Sequence, residues 1–138
     1  MSIEPVLPFE FVVRGTAISA QGSGRSKEAW KERIRSSALA ALPMGSWLLT
    51  YSVAVTIFIF PKATMQGDID NRAKPILDAM VKCVYEDDYL VERLVVQKFE
   101  PDRVFAFQNP SEALSIALSI DEPAVYVRIT DDLHEELS

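Results

Sequence analysis

The stretch Trp47–Phe60 reads WLLTYSVAVTIFIF, and its reading decides the fold. Leu49, Tyr51, Val53, Val55, Ile57 and Ile59 alternate with a second, partly apolar set. Period-two alternation is the mark of a strand, because successive side chains leave a sheet on opposite faces. The β-branched and aromatic residues in both sets predict one long strand, placed centrally. Thr50, Ser52 and Thr56 interrupt this run, the longest apolar candidate in the chain. It therefore falls short of the ~20 uninterrupted residues of a membrane span.

Working outward, Phe9–Ile18 (FEFVVRGTAI) is a second strand candidate, followed by a polar, Gly-rich loop over residues 19–26. From Lys27 the apolar residues Ala29, Trp30, Ile34, Ala38 and Leu42 recur at three- and four-residue intervals. This pattern predicts an amphipathic helix capped by Ser26 and stopped by Pro43. Its other face carries Lys27, Lys31 and Arg35 four residues apart. Downstream, Ile76, Leu77, Met80 and Val84 trace a second helical stripe. That helix begins at Pro75, where a first-turn proline is tolerated, or at Asp70 with one internal hydrogen bond lost. Val91–Phe99 reads as a strand, Ser111–Ser119 as a short helix capped by Ser111, and Ala124–Thr130 as an alternating terminal strand. The order β-α-β-α-β-α-β predicts an α+β fold, a mixed β-sheet with helices packed against it. At 138 residues the chain is expected to form a single domain over 1–138.

Composition narrows the chemistry. One cysteine, Cys83, makes no internal disulfide and reads as a small hydrophobe, so a reducing cytoplasmic setting fits. No basic segment leads into a long apolar stretch at the N-terminus, and no signal peptide is expected. With His134 the only histidine, a His-based zinc site or a Ser-His-Asp triad lacks material. Carboxylates and lysine remain. The net charge of −6 argues against a polybasic nucleic-acid-binding module. It conceals a division, however. Residues 14–82 hold ten basic and five acidic side chains, whereas residues 83–138 hold four and thirteen.

The most informative segment runs Gly67-Asp68-Ile69-Asp70-Asn71-Arg72-Ala73-Lys74, followed by Asp78 and then Glu86-Asp87-Asp88. In an extended segment Asp68 and Asp70 face one side, and a carboxylate pair of this kind suits a hard divalent cation such as Mg²⁺. Asp88, returned by the helix, would add a third ligand. Bound metal would activate water and neutralise charge on a phosphodiester, and Lys74 would place a cation near its oxygens. The same residues also admit a structural reading. Asp70, Lys74, Asp78 and Lys82 stand four apart and could form a surface ion-pair ladder worth ~0.3–0.5 kcal/mol per pair. Asp70 could be a helix cap, Glu86–Asp88 a solvated turn, and Lys27, Lys31 and Arg35 a solvated helix face. Trp30 and Trp47 are expected in the core.

GDIDNRAKPILDAM followed by YEDDYLVERLVVQK resembles the RusA family of Holliday junction resolvases, with its D-x-D-N-x-x-K signature and a downstream Asp-Asp before a strand ending in Lys or Arg. The strand ending Arg14-Gly15-Thr16, the polar loop and the helix start at residues 25–31 are also similar, and the likeness covers roughly residues 11–100. The resemblance implies that Asp68, Asp70 and Asp88 bind catalytic Mg²⁺, with Mn²⁺ as a substitute, and that Lys74 assists the chemistry. It implies support from Asn71 and Asp87, an intertwined homodimer, and paired nicks in branched, four-way DNA. The loop 63–67 would approach the junction centre, with Met65 as a wedge. Arg25, Lys27, Lys31, Arg35 and Arg72 are the candidates for holding the DNA backbone. Two other functions fit the same residues: a metal nuclease on other branched or single-stranded nucleic acid, and a noncatalytic binding domain whose acidic tail docks a basic partner.

Overall fold

The computed structural model describes residues 5–135. Residues 1–4 and 136–138, the latter including the end of the acidic tail, lie outside the described part. Four strands and three helices follow the expected order: β1 (Phe9–Arg14), α1 (Gly24–Ala41), β2 (Val53–Phe60), α2 (Ile69–Met80), β3 (Val91–Lys98), α3 (Glu112–Ser119) and β4 (Ala124–Thr130). One short 3₁₀ turn, Asp88–Leu90, precedes β3. The strands form one mixed sheet in the order β1-β4-β2-β3, with β4 antiparallel to both β1 and β2, and β3 parallel to β2. A parallel pair cannot be closed by a hairpin. The connection through α2 supplies the crossover, and it is this connection that carries the acidic motif.

Several boundaries differ from the sequence reading, each for a local reason. β1 stops at Arg14 because Gly15 adopts φ +133°, open to glycine, and donates its N–H to the Pro123 carbonyl. A Cβ at Gly15 would also stand 2.9 Å from the Trp30 ring. α1 begins earlier than expected, since the Ser23 hydroxyl, rather than Ser26, accepts an N–H of the first turn, and the donor is Ser26 itself at 3.1 Å. β2 is shorter than Trp47–Phe60. Leu49 leaves the ladder for an isolated bridge with Tyr85, and Trp47 lies 53% exposed rather than in the core. Trp30 is buried as expected.

Pro75 lies inside α2 and is buried. It has no N–H for the Asn71 carbonyl four residues back. That carbonyl is instead satisfied by the N–H of Ala20, 2.8 Å away in the Gly-rich loop. Burial on one sheet face combines the odd-numbered residues of β1, β2 and β4 with Trp30, Ile34 and Ala38 of α1 and Ala73, Ile76, Ala79 and Met80 of α2. The opposite face gathers Phe60, Leu114, Ala117 and Tyr126, flanked by Phe58, Phe99 and Phe107. No helix among the described residues is long and apolar enough to cross a membrane.

Candidate active site

The acidic motif opens at a turn. Gly67 takes φ +89°, which costs a glycine little, and the chain enters α2 with Asp68 as its N-cap. Asp68 and Asp70 therefore occupy a helix start rather than the extended segment expected from their spacing. Acidic residues there complement the positive end of the helix dipole. The Asp68 side chain makes no capping hydrogen bond, and both carboxylates are exposed. Asn71, half-buried, is the residue whose carbonyl receives Ala20.

One turn further on, Lys74 donates to Asp78 Oδ1 at 2.8 Å and to Asp88 Oδ2 at 3.4 Å. The bond to Asp78, together with the charges of Asp78 and Asp88, raises the pKa of the Lys74 ammonium above its ordinary value, against a smaller opposing effect of burial. Of the expected ladder, only the Lys74 to Asp78 step forms within the helix. Lys82 falls beyond the end of α2, at φ 61°, and pairs with Glu86 instead. Asp88 is set by the turn that follows. Asp87 caps it by accepting the Asp88 N–H at 2.7 Å, and buried Tyr85 anchors it by donating its hydroxyl to the Leu77 carbonyl at 2.7 Å. Burial, and then the nearby Asp88, Asp78 and Asp87, push the Tyr85 hydroxyl far up.

The structure thus brings together Lys74, Asp78 and Asp88, with Asp87 beside them. Among the described residues it does not gather three carboxylate, His or Cys side chains closely enough to hold one ion. Chemically the donors fit a hard divalent cation, since all are carboxylate oxygens. Mg²⁺ commonly takes one or two carboxylates and completes its shell with water and substrate phosphate.

The candidate backbone-binding residues divide. Arg25 is exposed and without a partner among the described residues. Lys27 donates to the Ala20 carbonyl at 3.0 Å, Lys31 pairs with Glu28 at 3.2 Å, and Arg35 pairs with Glu32 at 3.3 Å. Arg72 donates to the Ala17 carbonyl at 2.6 Å and the Gln66 carbonyl at 2.7 Å, tying two loops to the helix start. Met65 is buried in the core, so it is not an exposed wedge. Its N–H donates to Glu100 at 2.8 Å and its carbonyl accepts from Lys98 at 3.1 Å. That N–H, more than neighbouring Lys98 and Arg103, holds the Glu100 carboxyl below its ordinary range. Cys83 is half-buried, and burial pushes its thiol up, away from nucleophile chemistry. Sequence reasoning missed Glu100, Lys62 and the anchoring role of Tyr85. A carboxylate directly after an apolar strand was the one local sign of Glu100.

The carboxylate and lysine cluster lies on a parallel crossover, beside a loop tied down by Arg72. The family model of endodeoxyribonuclease RusA matches residues 16–106, about two thirds of the chain. The chain belongs to the RusA endodeoxyribonuclease family. The match takes in α1, β2, α2 and β3 and stops before α3 and β4. No curated protein matches the chain at a significant level.

Proposed function

We propose that the protein is a divalent-metal-dependent, structure-selective DNA endonuclease that resolves four-way junctions in recombination and repair. It works in the cytoplasm as a homodimer of single RusA-like nuclease domains. The observation that carries this reading is the Lys74 ammonium suspended between Asp78 and Asp88 in a chain of an endodeoxyribonuclease family. Asp68, Asp70 and Asp88 would hold the cation, Mg²⁺ or Mn²⁺. When bound, it supplies activation of the attacking water and neutralisation of charge on the phosphodiester.

The chain's own residues do the rest. The interaction with Asp78 and Asp88 keeps Lys74 protonated, so it offers a fixed positive charge to the phosphodiester oxygens. Asp87 fixes the backbone from which Asp88 reaches. The main-chain carbonyl of Asn71 ties the helix start to Ala20. Arg25 has its charge free to meet the DNA backbone, whereas Lys27, Lys31, Arg35 and Arg72 would contribute charge from positions already hydrogen-bonded or paired.

A synthetic four-way junction incubated with Mg²⁺ and either wild-type protein or Asp70→Asn tests the reading. Cleavage by the wild type and loss of about 100-fold or more in the variant is expected, in line with removal of a group acting on transition-state charge. Equal cleavage by both proteins would sink it.

A further inference from the structure

Four concavities among the described residues differ in their charged lining. The first is lined by Glu10 and Glu135 beside Arg128, the second by Glu10 and Glu112, and the third by Arg14 and Arg33 beside Glu122, which pairs with Arg14. A phosphate entering any of these would meet a carboxylate. The fourth, about 330 Å³, is formed by the loop between β2 and α2 against Thr16 and Pro123. It is lined by Lys62, Thr64, Gln66, Arg72 and Thr16, with no acidic side chain.

Among the described residues neither cation has a counter-charge: Lys62 is exposed and forms no ion pair, and half-buried Arg72 has no carboxylate partner. The Arg72 donors in use go to neutral carbonyls, and its buried Nε has no partner. A partly desolvated cation without a counter-charge is costly, and an anion arriving beside it recovers that cost. The hydroxyls of Thr16 and Thr64 and the amide of Gln66 also make no hydrogen bond among the described residues.

The wall is preorganised. Glu100 and Lys98 hold both polar groups of the Met65 peptide, and Arg72 holds the Gln66 carbonyl. Such a loop need not be ordered by its ligand, which lowers the cost of binding.

We infer that this concavity is a phosphate subsite, taking a backbone phosphodiester of the nucleic acid next to the Asp68 end of the candidate active site, with Lys62 as its principal contact. The inference rests on the nuclease reading for its ligand and adds residues that the sequence pattern did not mark. Lys62 lies six residues before the acidic motif, and its side chain is free to contact solvent and ligand alike.

The test measures junction affinity without cleavage, in Ca²⁺, across a series of salt concentrations, for wild type, Lys62→Ala, Lys62→Arg and Lys82→Ala. Each phosphate contact contributes ~0.9 to the slope of log K against log salt, so losing one costs about eightfold in affinity at 0.1 M salt. Lys62→Ala should show that drop and the reduced slope, Lys62→Arg should restore both, and Lys82→Ala, which removes a charge already paired with Glu86, should change neither. A Lys62→Ala slope equal to wild type, or an equal fall in Lys82→Ala, overturns the subsite. The nuclease reading is judged separately, by cleavage in Mg²⁺ with Asp70→Asn. A wild type that binds no junction overturns both.

Discussion

The two faces of the sheet are covered by different means. Beneath α1 and α2 the packing is mainly aliphatic, with Phe9, Phe11, Trp30 and Tyr85 among it: Val13, Ile34, Val53, Val55, Ile57, Ile76, Val127 and Ile129 have no exposed surface. On the other face six aromatic rings, Phe58, Phe60, Phe99, Phe105, Phe107 and Tyr126, meet at centroid distances of 4.8–6.4 Å. Four of them, Phe58, Phe99, Phe107 and Tyr126, border a concavity of about 750 Å³. Both helices of the first face lie within the family-matched segment, and α3 of the second lies outside it. Dense interdigitation fixes position to within small tolerances, whereas large rings around a hollow leave room for change. The difference teaches where precision is needed: α2, which positions Lys74 and the acidic motif, rests on the close-packed side.

The strongest way to break this contrast is truncation. Ile76→Ala, fully buried under α2, should cost about 3–4 kcal/mol in urea unfolding, while Phe105→Ala, 39% exposed, should cost about 1 kcal/mol. Equal losses would show that the two faces bear the fold alike. Next in size is the site that the first face holds. Lys74→Ala should lower junction cleavage about 100-fold, as expected for a preorganised charge, and Asp78→Asn should lower it less, because Asp88 still holds the ammonium. A larger effect in Asp78→Asn would move the chemistry to Asp78.

Helix caps come third. Ser23→Ala should cost α1 about 1 kcal/mol, whereas Ser26→Ala should cost a few tenths, which thermal unfolding can separate. The smallest effect is one of pH. The carboxyl of Glu100 titrates below its ordinary range when folded. Its contribution is therefore present above the unfolded pKa and is lost as pH falls through the folded one. Melting temperature should decline through this acid window in wild type, and less steeply in Glu100→Gln. Identical profiles would remove Glu100 as the anchor of the loop before α2.

What the sequence made legible follows the range of the interactions. β4 matches its predicted bounds, Ala124–Thr130, because alternation is a local pattern, and Ser111 caps α3 as its position suggests. The family signature exposed the acidic motif and Lys74. Trp47 was misplaced because hydrophobicity alone does not reveal that Leu49 departs to pair with Tyr85, thirty-six residues away. The grip of Lys98 and Glu100 on Met65 spans thirty-three and thirty-five residues, and nothing near Met65 announces it. The same holds for Arg72. Its charge suggested a DNA contact, but the carbonyls that take its donors belong to loops that only the folded chain brings near.

The proline in α2 also governs the order in which the chain can become protected. A helix whose interior carbonyls are all bonded within it can form before its neighbours arrive. In α2 the Asn71 carbonyl waits for Ala20, fifty-one residues earlier in the chain. The start of α2, with Asp68 as N-cap and Asp70 in the first turn, therefore gains this hydrogen bond only once the Gly-rich loop has docked. Amides at this end should therefore exchange with deuterium before those of the Ile76 to Met80 end when the protein opens.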